Sequence, residues 1–294
     1  MRAVKTFIIA LAILLPSLAQ AYDVLVLQSR RDPAYSEALR GFNAVRQFSQ
    51  RLIVLSDYTE IDITRIVRED QPLLVLAIGD AALAATRKLQ QTPVVALMSL
   101  AIHGRGDPRQ NLTGVEMFAS PEEYLRLFRL MGTRRVGMVY SQDRSGWYVQ
   151  MASQAARQEG IELVTREVAE PRDTLERLAS LAGKVDALWM IPDTLAVTRE
   201  SAEAYFHFAQ DQQIPLVSFA SSYLRLGAAV VVDIDRAGLG QQAAAMAASI
   251  LTGNAPRDIP RQLPHKTSVK TNATVLKHLG IPQELTRSAT QLKE

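Results

Sequence analysis

The sequence predicts an α/β protein of two similar lobes, each built on a doubly wound parallel sheet. Three observations carry that expectation. Apolar runs of strand length alternate with longer amphipathic segments, as they do where parallel strands are covered by helices on both faces. The alternation starts over once, after the segment NLTGV at 111–115, with little identity between the two passes. In both halves the polar residues gather at the C-terminal ends of the expected strands, where open α/β sheets bind ligands.

The first half reads in order as strand 23–27, helix 33–50, strand 52–55, helix 61–69, strand 73–78, helix 80–90 and strand 94–97. Tyr35, Leu39, Phe42, Val45 and Phe48 set the helical spacing of the first helix. The second half reads as helix 122–131, strand 136–140, helix 146–159, strand 161–167, helix 173–181, strand 187–191, helix 198–210 and strands 215–219 and 228–232. This βαβ succession implies parallel pairing. An Ala-rich helix at 238–251 ends at Gly253, a residue type favoured just past helix ends. Lys270 and Asn272 lie near a last short strand and helix.

The first residues have the form of a secretory signal. Arg2 and Lys5 precede an apolar run from Phe7 to Leu15, Pro16 breaks it, and Ala19-Gln20-Ala21 supplies a small-x-small cleavage site. That run is shorter than the roughly 20 residues a membrane-spanning helix needs. Cleavage after Ala21 is expected, releasing a soluble periplasmic chain. Without cysteine there are no disulfides, thiolate nucleophiles or cysteine-ligated metals, and no lipid anchor on an N-terminal cysteine. Removing Arg2 and Lys5 from 33 basic residues leaves 31 against 30 acidic ones. The mature chain is therefore near neutral, with no basic patch for nucleic acid. Its length suits two domains, and the only stretch expected to be disordered follows Leu285.

Several motifs have ordinary explanations. Gly238, Gly240 and Ala243 mimic a dinucleotide-binding turn, but Asp235 and Arg236 separate them from the strand and no acid-tipped strand follows. They read as a helix start packed closely on a neighbour. Arg105-Gly106-Asp107 sits in a turn-rich loop. His103, His207, His265 and His278 have no metal-ligand spacing, so neither metal nor cofactor is expected. There is no nucleophile elbow or phosphate loop, and no enzyme activity is expected. The candidate ligand contacts are Gln28, Ser29, Gly79, Asp80 and Ser99 in the first half, and Ser141, Trp147, Asp193, Ser221 and Asp233 in the second. Asp and Ser at strand ends also cap helices, so each carries both readings. Tyr35, Trp147 and Tyr223 are candidates for stacking on a planar ligand.

These residues occur within segments that resemble a known family. The segments are QPLLVLAIGDAA at 71–82, NLTGV at 111–115, RVGMVY at 135–140, KVDALWMIPD at 184–193, IPLVSF at 214–219, LGQQAAAMA at 239–247 and ILTGNAPRDIP at 250–260. Together they resemble the substrate-binding proteins of ABC transporters, of the type I periplasmic binding protein fold, in particular the tryptophan- and tyrosine-type subfamily. The resemblance implies two Rossmann-like lobes joined by a three-crossover hinge, with 22–118 plus 236–254 in one lobe and 119–235 plus 255–294 in the other. It implies a monomer that captures a small molecule in the interlobe cleft and delivers it to an ABC permease in the inner membrane. The same fold also serves as a sensing subunit for a membrane receptor, and an exported hydrolase is the remaining alternative. The family pattern of Pro-Asp is matched at Pro192-Asp193, which makes Asp193 the leading ligand contact. The pattern departs at Gly79-Asp80, where the family usually carries Gly-Thr. A carboxylate there repels an anionic ligand group, so Asp80 either caps its helix or meets a cation or hydroxyl.

Overall fold

The computed structural model describes residues 22–103 and 109–282. The expected signal peptide, the Arg105-Gly106-Asp107 tripeptide and the tail after Leu285 lie outside the described residues.

Among the described residues, eleven strands form two sheets. The first contains β1 (Val24–Gln28), β2 (Gln50–Val54), β3 (Leu74–Ile78), β4 (Val94–Leu97) and β5 (Leu112–Gly114), in the order β2-β1-β3-β4-β5 and parallel throughout. The second contains β6 (Arg135–Tyr140), β7 (Glu162–Glu167), β8 (Ala187–Trp189), β9 (Leu216–Ser218), β10 (Val230–Ile234) and β11 (Thr267–Thr271), in the order β11-β10-β9-β8-β6-β7. All pairs are parallel except β10 with β11, so the edge strand departs from the purely parallel expectation. An antiparallel partner is available because β11 arrives on the return passage rather than after a crossover helix.

The helices are α1 (Pro33–Val45), α2 (Ile63–Asp70), α3 (Asp80–Ala85), α4 (Pro121–Leu130), α5 (Gln142–Gln158), α6 (Thr174–Ala179), α7 (Arg199–Asp211), α8 (Arg236–Leu251) and α9 (Ala273–His278). Pro33 and Pro121 occupy first-turn positions, where the missing N–H costs nothing. Asp32, Asp62, Asp235 and Asn272 each cap a helix by accepting a backbone N–H.

Alternate strand residues face opposite helix layers, as the two-residue strand period requires. Val24 and Val26 join a core with Phe42 of α1 and Leu239 and Ala243 of α8. Leu25 and Leu27 join the opposite core with Ile63 and Val67 of α2. The second sheet repeats this, with α4 and α5 covering one face and α7 the other. α8 thus packs on the first sheet although it follows the second in sequence. The glycines of its first turns explain the closeness. A Cβ on Gly240 would lie 1.9 Å from the Ala38 carbonyl oxygen, and one on Gly41 would lie 2.0 Å from that of Ala237. Two glycines on facing helices let α1 and α8 touch backbone to backbone.

The chain passes between the sheets three times: after β5 into α4, after β10 into α8, and from residues 256–262 into β11. That last segment first runs beside β5, where Val115 bridges Gln262 and the Thr113 hydroxyl donates to the Ile259 carbonyl at 2.8 Å.

Some boundaries shift from the sequence reading. α1 ends at Val45, because Arg46 turns extended. Phe48 keeps helical spacing for a tertiary reason: from the loop it packs on Phe42, ring centroids 5.1 Å apart. α5 starts at Gln142, four residues before the expected start, and brings Trp147 onto its second turn. β5, expected only as the point where the pattern restarts, is three residues long and fully buried.

Candidate functional site

Strand order reverses direction beside β1 in the first sheet and beside β6 in the second. Such switch points leave a crevice at the strand C-termini. Gln28, Ser29, Gly79 and Asp80 border the first; Ser141 and Asp193 border the second.

In the first lobe each of these residues is held by hydrogen bonds to neighbouring strand ends and loops. The Ser29 hydroxyl donates to the Ile78 carbonyl at 3.1 Å and accepts from the Ala82 N–H at 2.9 Å, tying the end of β1 to the start of α3. Gly79, between β3 and α3, has φ 90°, and a Cβ there would meet the Tyr35 hydroxyl at 2.5 Å. Tyr35 therefore lies over the strand end. Asp80 is exposed, and its Oδ1 accepts from the Ser99 hydroxyl at 2.6 Å and from the Leu100 and Ala101 N–H groups at 2.9 and 3.1 Å. It pins the segment after β4 rather than capping its own helix. Gln28 is buried and donates to the Arg30 carbonyl at 2.6 Å.

In the second lobe Asp193 is 2% exposed. Its Oδ2 accepts from the Ser141 N–H at 2.7 Å and from the Ser145 hydroxyl, and its Oδ1 from the Leu195 and Ala196 N–H groups at 2.8 and 2.9 Å. Four donors fill the approximately four lone-pair sites of a carboxylate. These bonds tie the ends of two neighbouring strands together and turn the chain at Leu195 and Ala196; the helix start expected near Thr194 does not form, the next helix beginning at Arg199.

Ser221 and Asp233 form a separate group. The Ser221 hydroxyl donates to Asp233 Oδ2 at 2.5 Å, and Lys270 from β11 donates to the same oxygen at 2.6 Å. Tyr223 packs edge-on against Phe219, with centroids 5.4 Å apart, inside its own lobe.

Trp147 is the candidate that meets the other lobe. Its indole stacks on the His103 imidazole, with centroids 4.1 Å apart and an 18° interplanar angle. Phe118, on the first crossover, meets its edge at 5.2 Å. His103 Nε2 lies 2.7 Å from Glu116 Oε1, and its Nδ1 lies 3.5 Å from an Arg261 guanidinium nitrogen. Burial pushes the Glu116 carboxyl up to about 8, against the partial opposition of Arg261. Burial, helped by Arg261, pushes His103 down to about 4. Sequence reasoning missed His103, Glu116 and Arg261. The available signal was one carboxylate in the otherwise apolar run from Gly114 to Ala119.

Two α/β lobes joined by three crossovers, each with a switch point in its sheet, define the architecture of a bilobal solute-binding protein. Residues 56–293 match the model of the ABC transporter substrate binding protein family, and the chain belongs to that family. A tyrosine-binding protein of Clostridioides difficile is 25% identical over 178 residues, 59% of this chain and 51% of that protein. The chain thus spans about half the length of that curated relative. Two solved structures share the fold. One is an ABC domain from Streptococcus pneumonia in complex with L-Trp, with TM-score 0.63 and 20% identity, covering 90% of this chain and 97% of that one. The other is a ligand-free, open substrate binding protein with adhesive properties from Clostridium difficile, with TM-score 0.64 and 20% identity, covering 88% and 95%. Among the described residues no helix is long and apolar enough to cross a membrane.

Proposed function

We propose that this chain is a periplasmic solute-binding protein that captures a small molecule between its lobes for an ABC permease, as a monomer and without covalent chemistry. The observation that carries the reading is the contact of His103 with Trp147 across the lobes. It joins an aromatic face, a buried carboxyl and hydrogen-bonded strand ends. Lobe one comprises 22–118 and 236–254, and the bonds of Thr113 and Glu116 to 259–262 attach the start of the tail to it as well. Residues 119–235 and 263–282 form lobe two, and closure bends the three crossovers.

The ligand class we propose is aromatic amino acids and related planar amines. The L-Trp complex and the tyrosine-binding relative support it, as does the indole face of Trp147. Native mass spectrometry of the protein purified from its periplasm tests the capture reading, followed by a thermal-shift screen. A ligand at a hundredfold excess over its Kd adds about 2.7 kcal/mol of stability. A screen of amino acids and amines that moves no melting curve, with nothing co-purifying, overturns the proposal.

A further inference from the structure

Four separate parts of the chain converge on one ring. His103 comes from the segment after β4, Glu116 from the first crossover, Arg261 from the third and Trp147 from α5. The imidazole stacks on Trp147 at 4.1 Å with Nε2 2.7 Å from Glu116 Oε1. The Glu116 side chain is 3% exposed, yet among the described residues Oε1 receives no aligned hydrogen bond. A buried acceptor without a donor is rare in folded proteins and asks for a partner. His103 brings a nitrogen within range of that oxygen, but its angle leaves the bond unmade. It also follows the last residue of β4 by six positions, so no sheet ladder holds its backbone there.

We propose that the His103 imidazole holds the place of a ligand ring: a planar aromatic group with an N–H donor displaces it, stacks on Trp147 and donates to Glu116. The inference rests on the capture reading above and names the recognition chemistry of that cleft. Stacking selects a flat ring, and the buried carboxyl selects a ring with a hydrogen on nitrogen. A site built to receive a donor discriminates strongly against an isostere that lacks it. Arg261, 3.5 Å from the opposite edge of the imidazole, disfavours a cationic ring at that edge.

The test uses indole and its carbocyclic isostere indene as probes, with binding to the full-length mature protein measured by calorimetry. Wild-type protein is expected to prefer indole over indene at least tenfold. His103→Ala, which removes the competing ring, is expected to bind indole about tenfold more tightly than wild type. Glu116→Leu is expected to abolish the preference for indole, while Glu116→Gln, which retains an acceptor, keeps it. His103→Ala with unchanged or weakened indole binding overturns the proposal, as does Glu116→Leu that still prefers indole over indene. A natural ligand that co-purifies and binds wild type and His103→Ala equally leaves the capture reading standing and removes this one. Absence of binding by every probe, with no co-purifying ligand, removes both.

Discussion

The Asp193 carboxylate holds the backbone N–H of Ser141 at 2.7 Å, so the end of β8 fixes the start of α5 across the second switch point. Ser29 does the corresponding work in the first lobe, joining the end of β1 to the first turn of α3 through Ala82. Each lobe therefore uses one strand-end side chain to hold two neighbouring strand ends in register. The duplication visible in the sequence extends to the way its crevices are built.

Asp193→Asn removes an oxygen that accepts two bonds and places an amide where Ser141 and Ser145 donate. Leaving buried donors unmatched costs about 1–3 kcal/mol each, so the variant is expected to unfold at clearly lower urea concentration. Ser145→Ala, which deletes one donor, is expected to cost about 1 kcal/mol. An unchanged urea midpoint for Asp193→Asn would return the residue to the ligand-contact reading.

Gly240→Ala tests the α1–α8 contact. Its Cβ would sit 1.9 Å from the Ala38 carbonyl oxygen, and backbone cannot swing aside as a side chain can. Overpacking of this kind typically costs 1–3 kcal/mol, occasionally more. Gly253→Ala faces no neighbour, although its φ of 105° strains any side chain, and is expected to cost about 1 kcal/mol. Thermal unfolding of the two variants should rank them in that order; equal melting temperatures would mean that α1 and α8 have room to separate.

Most of this architecture was legible in the sequence because parallel strands covered on both sides leave unbroken apolar runs, such as Val24 to Leu27 and Leu74 to Ile78. Boundaries failed where tertiary packing copied a local period, as Phe48 did against Phe42. Candidate site residues were legible by type and place but not by role. Asp80 and Asp193 stand at strand ends as expected, yet Asp80 Oδ1 and both Asp193 oxygens accept from backbone N–H and serine hydroxyls of neighbouring segments. Residues from distant parts of the chain formed the other group: His103, Glu116 and Arg261 are unremarkable in sequence, and only the crossovers bring them to Trp147.

The Glu116–His103 pair gives stability a defined pH dependence. Glu116 is raised from 4.5 to about 8 in the fold, so its contribution is present below pH 4.5 and lost as pH rises through 8. His103 is lowered from 6.5 to about 4, so its contribution is present above pH 6.5 and lost as pH falls through 4. Between 4.5 and 6.5 the two slopes cancel. Above 6.5 only the Glu116 loss remains, and the folded state holds one more proton than the unfolded chain. Stability should then fall by about 2 kcal/mol between pH 6.5 and 8. Glu116→Gln should flatten that limb in urea titrations at several pH values. A limb of equal slope in the variant would assign the loss to other groups.

Asp80 is where this chain departs from the Gly-Thr pattern that its sequence otherwise resembles, and Asp80→Thr separates its two consequences. The carboxylate Oδ1 accepts three bonds from Ser99, Leu100 and Ala101, and a threonine hydroxyl lacks the reach and the lone pairs to replace them. The variant should lose about 2 kcal/mol of stability, since bonds to charged groups contribute about 1.5–3 kcal/mol and the exposed site recovers part from water. The same change removes a negative charge from a strand end that borders the crevice. For a ligand carboxylate about 5 Å away at an effective dielectric of about 40, the repulsion removed is about 1.7 kcal/mol, roughly fifteenfold in affinity. Asp80→Thr should therefore bind carboxylate-bearing ligands such as L-tryptophan more tightly while binding neutral indole unchanged. Isothermal titration with both ligands, beside a urea melt, reads the two effects separately. Equal gains for L-tryptophan and indole would show that the variant acts by loosening the segment after β4. Loss of stability without any change in affinity would place Asp80 in the scaffold of the crevice and leave the ligand's charge unsensed by it.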